Sequence, residues 1–183
     1  MKPEHRLTLI RLLTLLFVIA LGVLIFIYRD RVQGLASYGY VGIFLIAMIA
    51  NATVILPVPG VMVVFAMGAV FNPFLIALFA GLGAAIGEIT GYLVGFSGQG
   101  LAERSQTLVS ISEWMEHNRK YSALGILVMA AIPNPFFDLA GIAAGTLKIP
   151  LWSFFLFCAA GSIIKMLAFA FAGAQSLKGF FHP

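Results

Sequence analysis

Three ionisable residues stand inside long apolar runs: Glu88, Asp138 and Lys165. A charged group at the centre of a membrane helix costs about 2.5–3.5 kcal/mol on insertion scales, so such groups face a protein interior or a wet cavity. There a carboxylate can accept and release a proton or meet a cationic headgroup, and an ammonium can meet an anion. Glu88 and Lys165 form the sharpest pair, each fifteen positions after a proline, Pro73 and Pro150. The functional reading is proton relay or headgroup passage. The structural one is an ion pair, or snorkelling to an interface. Asp138 follows the break Pro133-Asn134-Pro135. Broken helices expose backbone groups that bind ions and headgroups. Asn and Asp side chains equally well satisfy the donors freed at a turn. Asn51 and the run Pro57-Val58-Pro59-Gly60 mark a similar break earlier in the chain. Asn51, Pro57, Pro59, Gly60, Pro133, Asn134 and Pro135 are therefore candidate hairpin-tip or headgroup positions.

Other chemistries find no support. His5, His117 and His182 are scattered without metal-ligand spacing. The single cysteine, Cys158, has no partner for a disulfide and reads as a buried, inert thiol. A nucleophile and base do not occur together in any segment. Gly81-x-Gly83 lies in an apolar helix and lacks the strand that a dinucleotide site requires. The expectation is no enzyme, no metal and no cofactor.

Composition sets the solvent in which these residues act. Of 183 residues, 61% are hydrophobic and 10% charged, against about 45–50% and 25% in soluble domains. Mean hydropathy is +1.03. A chain so apolar could not cover itself with polar surface in water, which excludes both a soluble enzyme and a disordered chain and leaves an integral membrane protein. The net charge of +4 comes from eleven basic residues spread mostly at the edges of apolar runs. That pattern suits membrane orientation and anionic lipid headgroups, not nucleic acid.

The elements that must position the candidates follow. Leu12 to Tyr28, extendable to Leu7, is a retained transmembrane helix within an N-terminal segment 1–31 with basic flanks. Tyr38 to Phe71 is too long for one span and is cut at Pro57–Gly60. It is either a full span with a short one, or two arms of a re-entrant hairpin. Pro73 to Ser97 is a full-length helix capped at Asn72. Gly83, Gly87, Gly91 and Gly95 recur along it and let a neighbouring helix approach closely. In the linker 98–120, Leu101, Leu108, Ile111 and Met115 fall at helical spacing with Trp114 beside them, which reads as an amphipathic helix on the membrane surface. A solvated connector is the alternative. Tyr121 to Leu147 repeats the broken pattern, Pro150 to Gly173 is a further span, and 175–183 is a short tail.

The second half repeats the first. The two Pro-x-Pro breaks are 76 residues apart, and Gly68, Pro73 and Glu88 recur as Gly145, Pro150 and Lys165 at a shift of 77. Repeated halves with interrupted helices are a transporter-like signature. If both broken segments are re-entrant and the amino terminus is cytoplasmic, seven basic residues lie inside (Lys2, Arg6, Arg11, Arg104, Arg119, Lys120 and Lys148) and three outside (Arg29, Arg31 and Lys178). This agrees with the positive-inside rule and makes the repeat an inverted one.

At these residues the chain resembles the DedA family, also called the VTT domain or SNARE-associated Golgi protein family, over roughly 38–174. The carriers are Pro59-Gly60 and Gly68, the stretch from Gly83 to Gly95 that contains Gly87-Glu88 and Gly91-Tyr92, and Ala144-Gly145-Thr146-Leu147-Lys148-Ile149-Pro150 with Phe154. The resemblance implies an all-α integral membrane protein: an N-terminal transmembrane helix, then an inverted repeat of re-entrant helical hairpin plus transmembrane helix (repeat 1 38–97, linker 98–120, repeat 2 121–174). It implies movement of lipids or lipid-linked headgroups between leaflets, as a scramblase or flippase. The partners would be membrane lipids, anionic phospholipids and protons among them, in a bacterial or archaeal-type plasma membrane with a cytoplasmic amino terminus. Several bacterial members carry acidic residues in the first hairpin and two arginines around the second tip. Here Asn51 and Val61, and Ala131 and Phe137, stand at the approximate positions. A proton- or ion-coupled small-solute transporter and a non-transporting scaffold are the alternatives.

Overall fold

A computed structural model describes residues 36–52, 60–97, 106–134 and 136–181. The N-terminal helix expected over 1–31, the start of the linker, and Pro57, Pro59 and Pro135 lie outside the described residues. Within them the chain is all helical: α1 (Ala36–Ala52), α2 (Gly60–Gly68), α3 (Pro73–Ser97), α4 (Gln106–His117), α5 (Ser122–Ala131), α6 (Phe137–Thr146) and α7 (Leu151–Phe181).

Helix boundaries follow local chemistry. α1 ends before the first proline break and α5 before the second. α3 starts at Pro73 as expected, with Asn72 Oδ1 accepting from the Phe74 and Leu75 N–H groups at 3.0 and 3.4 Å. A side-chain acceptor there satisfies donors that the first helical turn leaves orphaned. α3 and the stretch Leu151–Ser176 of α7 are long and apolar enough to cross a membrane. At 1.5 Å per residue, the 25 residues of α3 reach about 38 Å, beyond a hydrocarbon core of about 30 Å. One boundary differs from expectation. α7 continues to Phe181, through most of the supposed tail, because nothing after Gly173 breaks a helix before Pro183. Helix in the linker is described only from Gln106. There Leu108 and Met115 are buried while Trp114 stays half exposed, and α4 packs on α6.

α3 and α7 form the central pair and run antiparallel. Tyr92 meets Phe154 at 5.2 Å between ring centroids near one end, and Phe74 meets Phe171 at 4.8 Å near the other. Outside this pair the packing is reciprocal. α1 lies on α3 and α5 on α7, while α2 crosses to α7 and α6 crosses to α3. Glycines permit both crossings: Gly68 lies against the Ala170 backbone and Gly145 against the Tyr92 carbonyl, so a Cβ at either position would overlap main-chain atoms. Two buried clusters result. One forms around Ile43, Val64 and Ile76, the other around Ile126, Phe154 and Ala144.

The four glycines spaced along α3 do not serve one neighbour. A step of four residues advances about 40° around a helix of 3.6 residues per turn, so the stripe rotates by about 120° over three steps. Gly83 and Gly87 accordingly receive α1, at the Phe44 and Met48 carbonyls, whereas Gly91 and Gly95 receive α6, at Asp138 and Ile142.

Candidate functional site

The rotating stripe brings α6 onto α3 beside Glu88. A Cβ added to Gly141 would stand 3.6 Å from Glu88 Oε2, and one added to Gly91 would stand 3.6 Å from the Asp138 carbonyl. Two residues without side chains thus let a helix that carries an acid approach a helix that carries another. Glu88 is 2% exposed, and its carboxyl lies within side-chain hydrogen-bonding reach of Asp138. Asp138 occupies the first turn of α6, where the helix dipole favours negative charge.

Lys165 comes from the middle of α7 and interacts electrostatically with both acids. Its ammonium lies over the Phe137 ring, 5.7 Å from the centroid, a cation–π geometry. Phe137 is one of the positions where the resemblance leads one to expect arginine; the cation here is supplied by α7. The pair singled out by the repeat, Glu88 and Lys165, is therefore a trio. Asp138 joins Glu88 where α6 packs on α3.

Two neighbours escaped the sequence reading. Cys158, fully buried, lies near enough to interact with Glu88 and Lys165. Ser162 is 1% exposed, and its hydroxyl, like Glu88 Oε1, has no hydrogen-bond partner. The signal was present: Cys158, Ser162 and Lys165 fall at i, i+4 and i+7, one face of α7.

The remaining described candidates make local contacts. Asn134 Nδ2 donates to the Met129 and Ile132 carbonyls at 2.7 and 2.9 Å, and its Oδ1 accepts from the Phe136 N–H at 3.0 Å. All of these bonds serve the backbone of the turn. Asn51 donates to the Ala47 carbonyl of its own helix at 2.7 Å. Gly60 opens α2, buried against Ala50, and Pro133 is exposed. Thr90 Oγ1 donates to the Ala52 carbonyl at 3.0 Å and ties the end of α1 to α3. Among the described residues no three His, Cys, Asp or Glu side chains converge as metal ligands.

The chain resembles known membrane proteins over this same region. The sequence profile of the VTT domain matches residues 58–175. Vacuole membrane protein KMS2 of Arabidopsis thaliana is 33% identical over 104 residues, covering 48% of this chain and 25% of the relative. Vacuole membrane protein 1 of Homo sapiens is 34% identical over 107 residues, covering 47% and 26%. The chain thus spans about a quarter of the length of these curated relatives. No solved structure matches it.

Proposed function

Because the chain belongs to the VTT domain family of membrane proteins, we propose that it moves lipids or lipid-linked headgroups between leaflets, as a scramblase or flippase rather than an enzyme. In this reading the arms α1–α2 and α5–α6 are re-entrant hairpins entering from opposite faces, so the two halves form an inverted repeat. The amino terminus is cytoplasmic, in a plasma membrane of bacterial or archaeal type. The reciprocal crossing of α2 onto α7 and α6 onto α3 supports it, since each hairpin then leans on the other half's span. Cysteines introduced singly at Ser37 and Asn72, in a Cys158→Ala background, are expected to be labelled from the same side. Labelling from opposite sides would show that the first broken segment spans the membrane.

The observation that carries the reading is the meeting of Glu88, Asp138 and Lys165 at the junction of the halves: Glu88 is buried where α6 packs on α3, and the Lys165 ammonium lies over the ring of Phe137, the residue before Asp138. Ionised carboxylates only accept hydrogen bonds, so in this reading the two neighbouring carboxyls share a proton. A proton at that place, beside an ammonium, can be exchanged as a headgroup passes. The test is lipid flux in liposomes together with thermal unfolding in detergent. Glu88→Gln keeps shape and removes titration, and is expected to lower flux about tenfold, the effect of about 1.4 kcal/mol on a barrier, with the fold retained. If Glu88 only neutralises Lys165, the single change destabilises the protein and Glu88→Gln with Lys165→Met restores both stability and flux. The carboxyl pair also favours a second reading, proton-coupled uptake of a small solute. Solute accumulation driven by a pH gradient, with no lipid flux, would select it, and inactivity in both assays would leave a scaffold.

A further inference from the structure

A polar cavity of about 220 Å³ opens between the α4–α5 turn and the α6–α7 turn. None of the three cluster residues lines it. Glu116, Arg119 and Ser122 face it from one side, Thr146, Lys148 and Ile149 from the other. Both hydroxyls are committed to backbone acceptors: Ser122 donates to the Arg119 carbonyl at 2.9 Å and Thr146 to the Ile142 carbonyl at 3.0 Å. The charged groups that line it are therefore two cations from separate turns and one acid. α5 starts beside it without a side-chain cap, so the positive end of that helix dipole adds to the cationic side.

Lys148 is held there by an unusual backbone. Its φ is 52°, the one positive value at a non-glycine residue among those described. The Lys148 N–H bonds the Gly145 carbonyl and the Ile149 N–H bonds the Ala144 carbonyl, both at 3.0 Å. This is the terminating motif whose left-handed position glycine fills with least strain. The equivalent residue of the first half, Phe71, has no positive φ. A lysine occupies a position that favours glycine, and its side chain lines the cavity.

The geometry points to a phosphate-recognition pocket, in which Arg119 offers a planar fork of donors and Lys148 a point charge. The ligand class is a phosphate mono- or diester, a chemistry that a phospholipid headgroup and a soluble phosphate share. The pocket does not rest on the transport reading, because it requires only binding at this end of the bundle.

The full chain in detergent would be titrated with short-chain phosphatidic acid, with diacylglycerol of the same chains and with inorganic phosphate, and bound species counted by native mass spectrometry. Phosphatidic acid is expected to bind at least about tenfold more tightly than diacylglycerol, the scale of one charge-assisted contact. Arg119→Gln and Lys148→Gly are each expected to erase most of that preference, while Lys148→Arg keeps it. Lys148→Gly suits the backbone, so an unchanged or raised unfolding midpoint shows that its lost binding is not misfolding. Glu116→Gln is expected to tighten binding severalfold. Displacement of the lipid by inorganic phosphate at equal concentration would identify a soluble phosphate as the ligand, and failure to displace would identify a lipid headgroup. Either result supports phosphate recognition. Equal affinity for phosphatidic acid and diacylglycerol, indifference to both cation substitutions, or weakening by Glu116→Gln would overturn it. Lipid flux of Lys148→Gly and lipid binding of Glu88→Gln, measured in parallel, tell failure of the pocket from failure of the transport reading.

Discussion

The two halves of the bundle are packed alike and charged differently. Phe65, Gly68 and Pro73 recur as Ile142, Gly145 and Pro150, and the contacts recur with them. Gly95 meets the Ile142 carbonyl and Gly173 meets the Phe65 carbonyl. The polar residues do not follow. Asp138 has Val61 as its counterpart, Lys148 has the buried Phe71, and the acid Glu88 is answered by a base, Lys165. Backbone contact constrains only residue size, so it keeps its symmetry through large changes of side chain. Charge in an apolar bundle is costly unless it faces other polar groups or a wet cavity. The cluster therefore gathers at one place, where α6 meets α3, and is not copied where α2 meets α7.

The strongest way to break this comparison is at the crossings. A methyl added at Gly68 or at Gly145 meets backbone atoms that cannot yield. Gly68→Ala and Gly145→Ala are each expected to cost about 3 kcal/mol, the upper range for overpacking, read as unfolding midpoints in detergent. Loss in only one of them would show that the halves are not equivalent in packing.

A smaller effect is expected at Tyr92. Its hydroxyl donates to the Ile149 carbonyl at 2.7 Å and ties α3 to the turn after α6. The second-half counterpart of Tyr92, Phe169, has no hydroxyl. Tyr92→Phe makes the halves alike and leaves a buried carbonyl unpaired, for about 1–2 kcal/mol. A negligible change would mean that the second turn holds without its tether.

The smallest effects compare the two asparagines. Asn72 caps α3, and Asn134 braces the break between α5 and α6. Asn72→Ala is expected to cost about 1 kcal/mol, as a lost cap does. Asn134→Ala is expected to cost somewhat more, since it forfeits donor and acceptor together. Lipid flux should survive both substitutions in whatever protein remains folded. Abolished flux in a stable Asn134→Ala variant would return that residue to the functional list.

Much of the fold was legible because its signals are local. Proline breaks stop helices, so the break around Pro133 could be read directly. Asn72-Pro73 announced the start of α3. The apolar composition named the solvent, and the 77-residue shift paired Glu88 with Lys165. Burial at Leu108 and Met115 followed from their helical spacing.

What the tertiary structure decided was long-range. Asp138 is fifty residues from Glu88, and no periodicity states that their carboxyls meet. That depends on the close approach of α3 and α6 at Gly95 and Gly145, and on a stripe of glycines that turns from α1 to α6 as it climbs α3. Ser162 lacks a hydrogen-bond partner only because of what surrounds it in three dimensions. The left-handed turn at Lys148 joins Arg119 across a cavity whose walls come from two turns far apart along the chain. Sequence determined the elements and their solvent, because hydrophobicity and backbone breaks act within a few residues. Packing determined which polar groups met, because each partner was set by the closest approach of helices far apart along the chain.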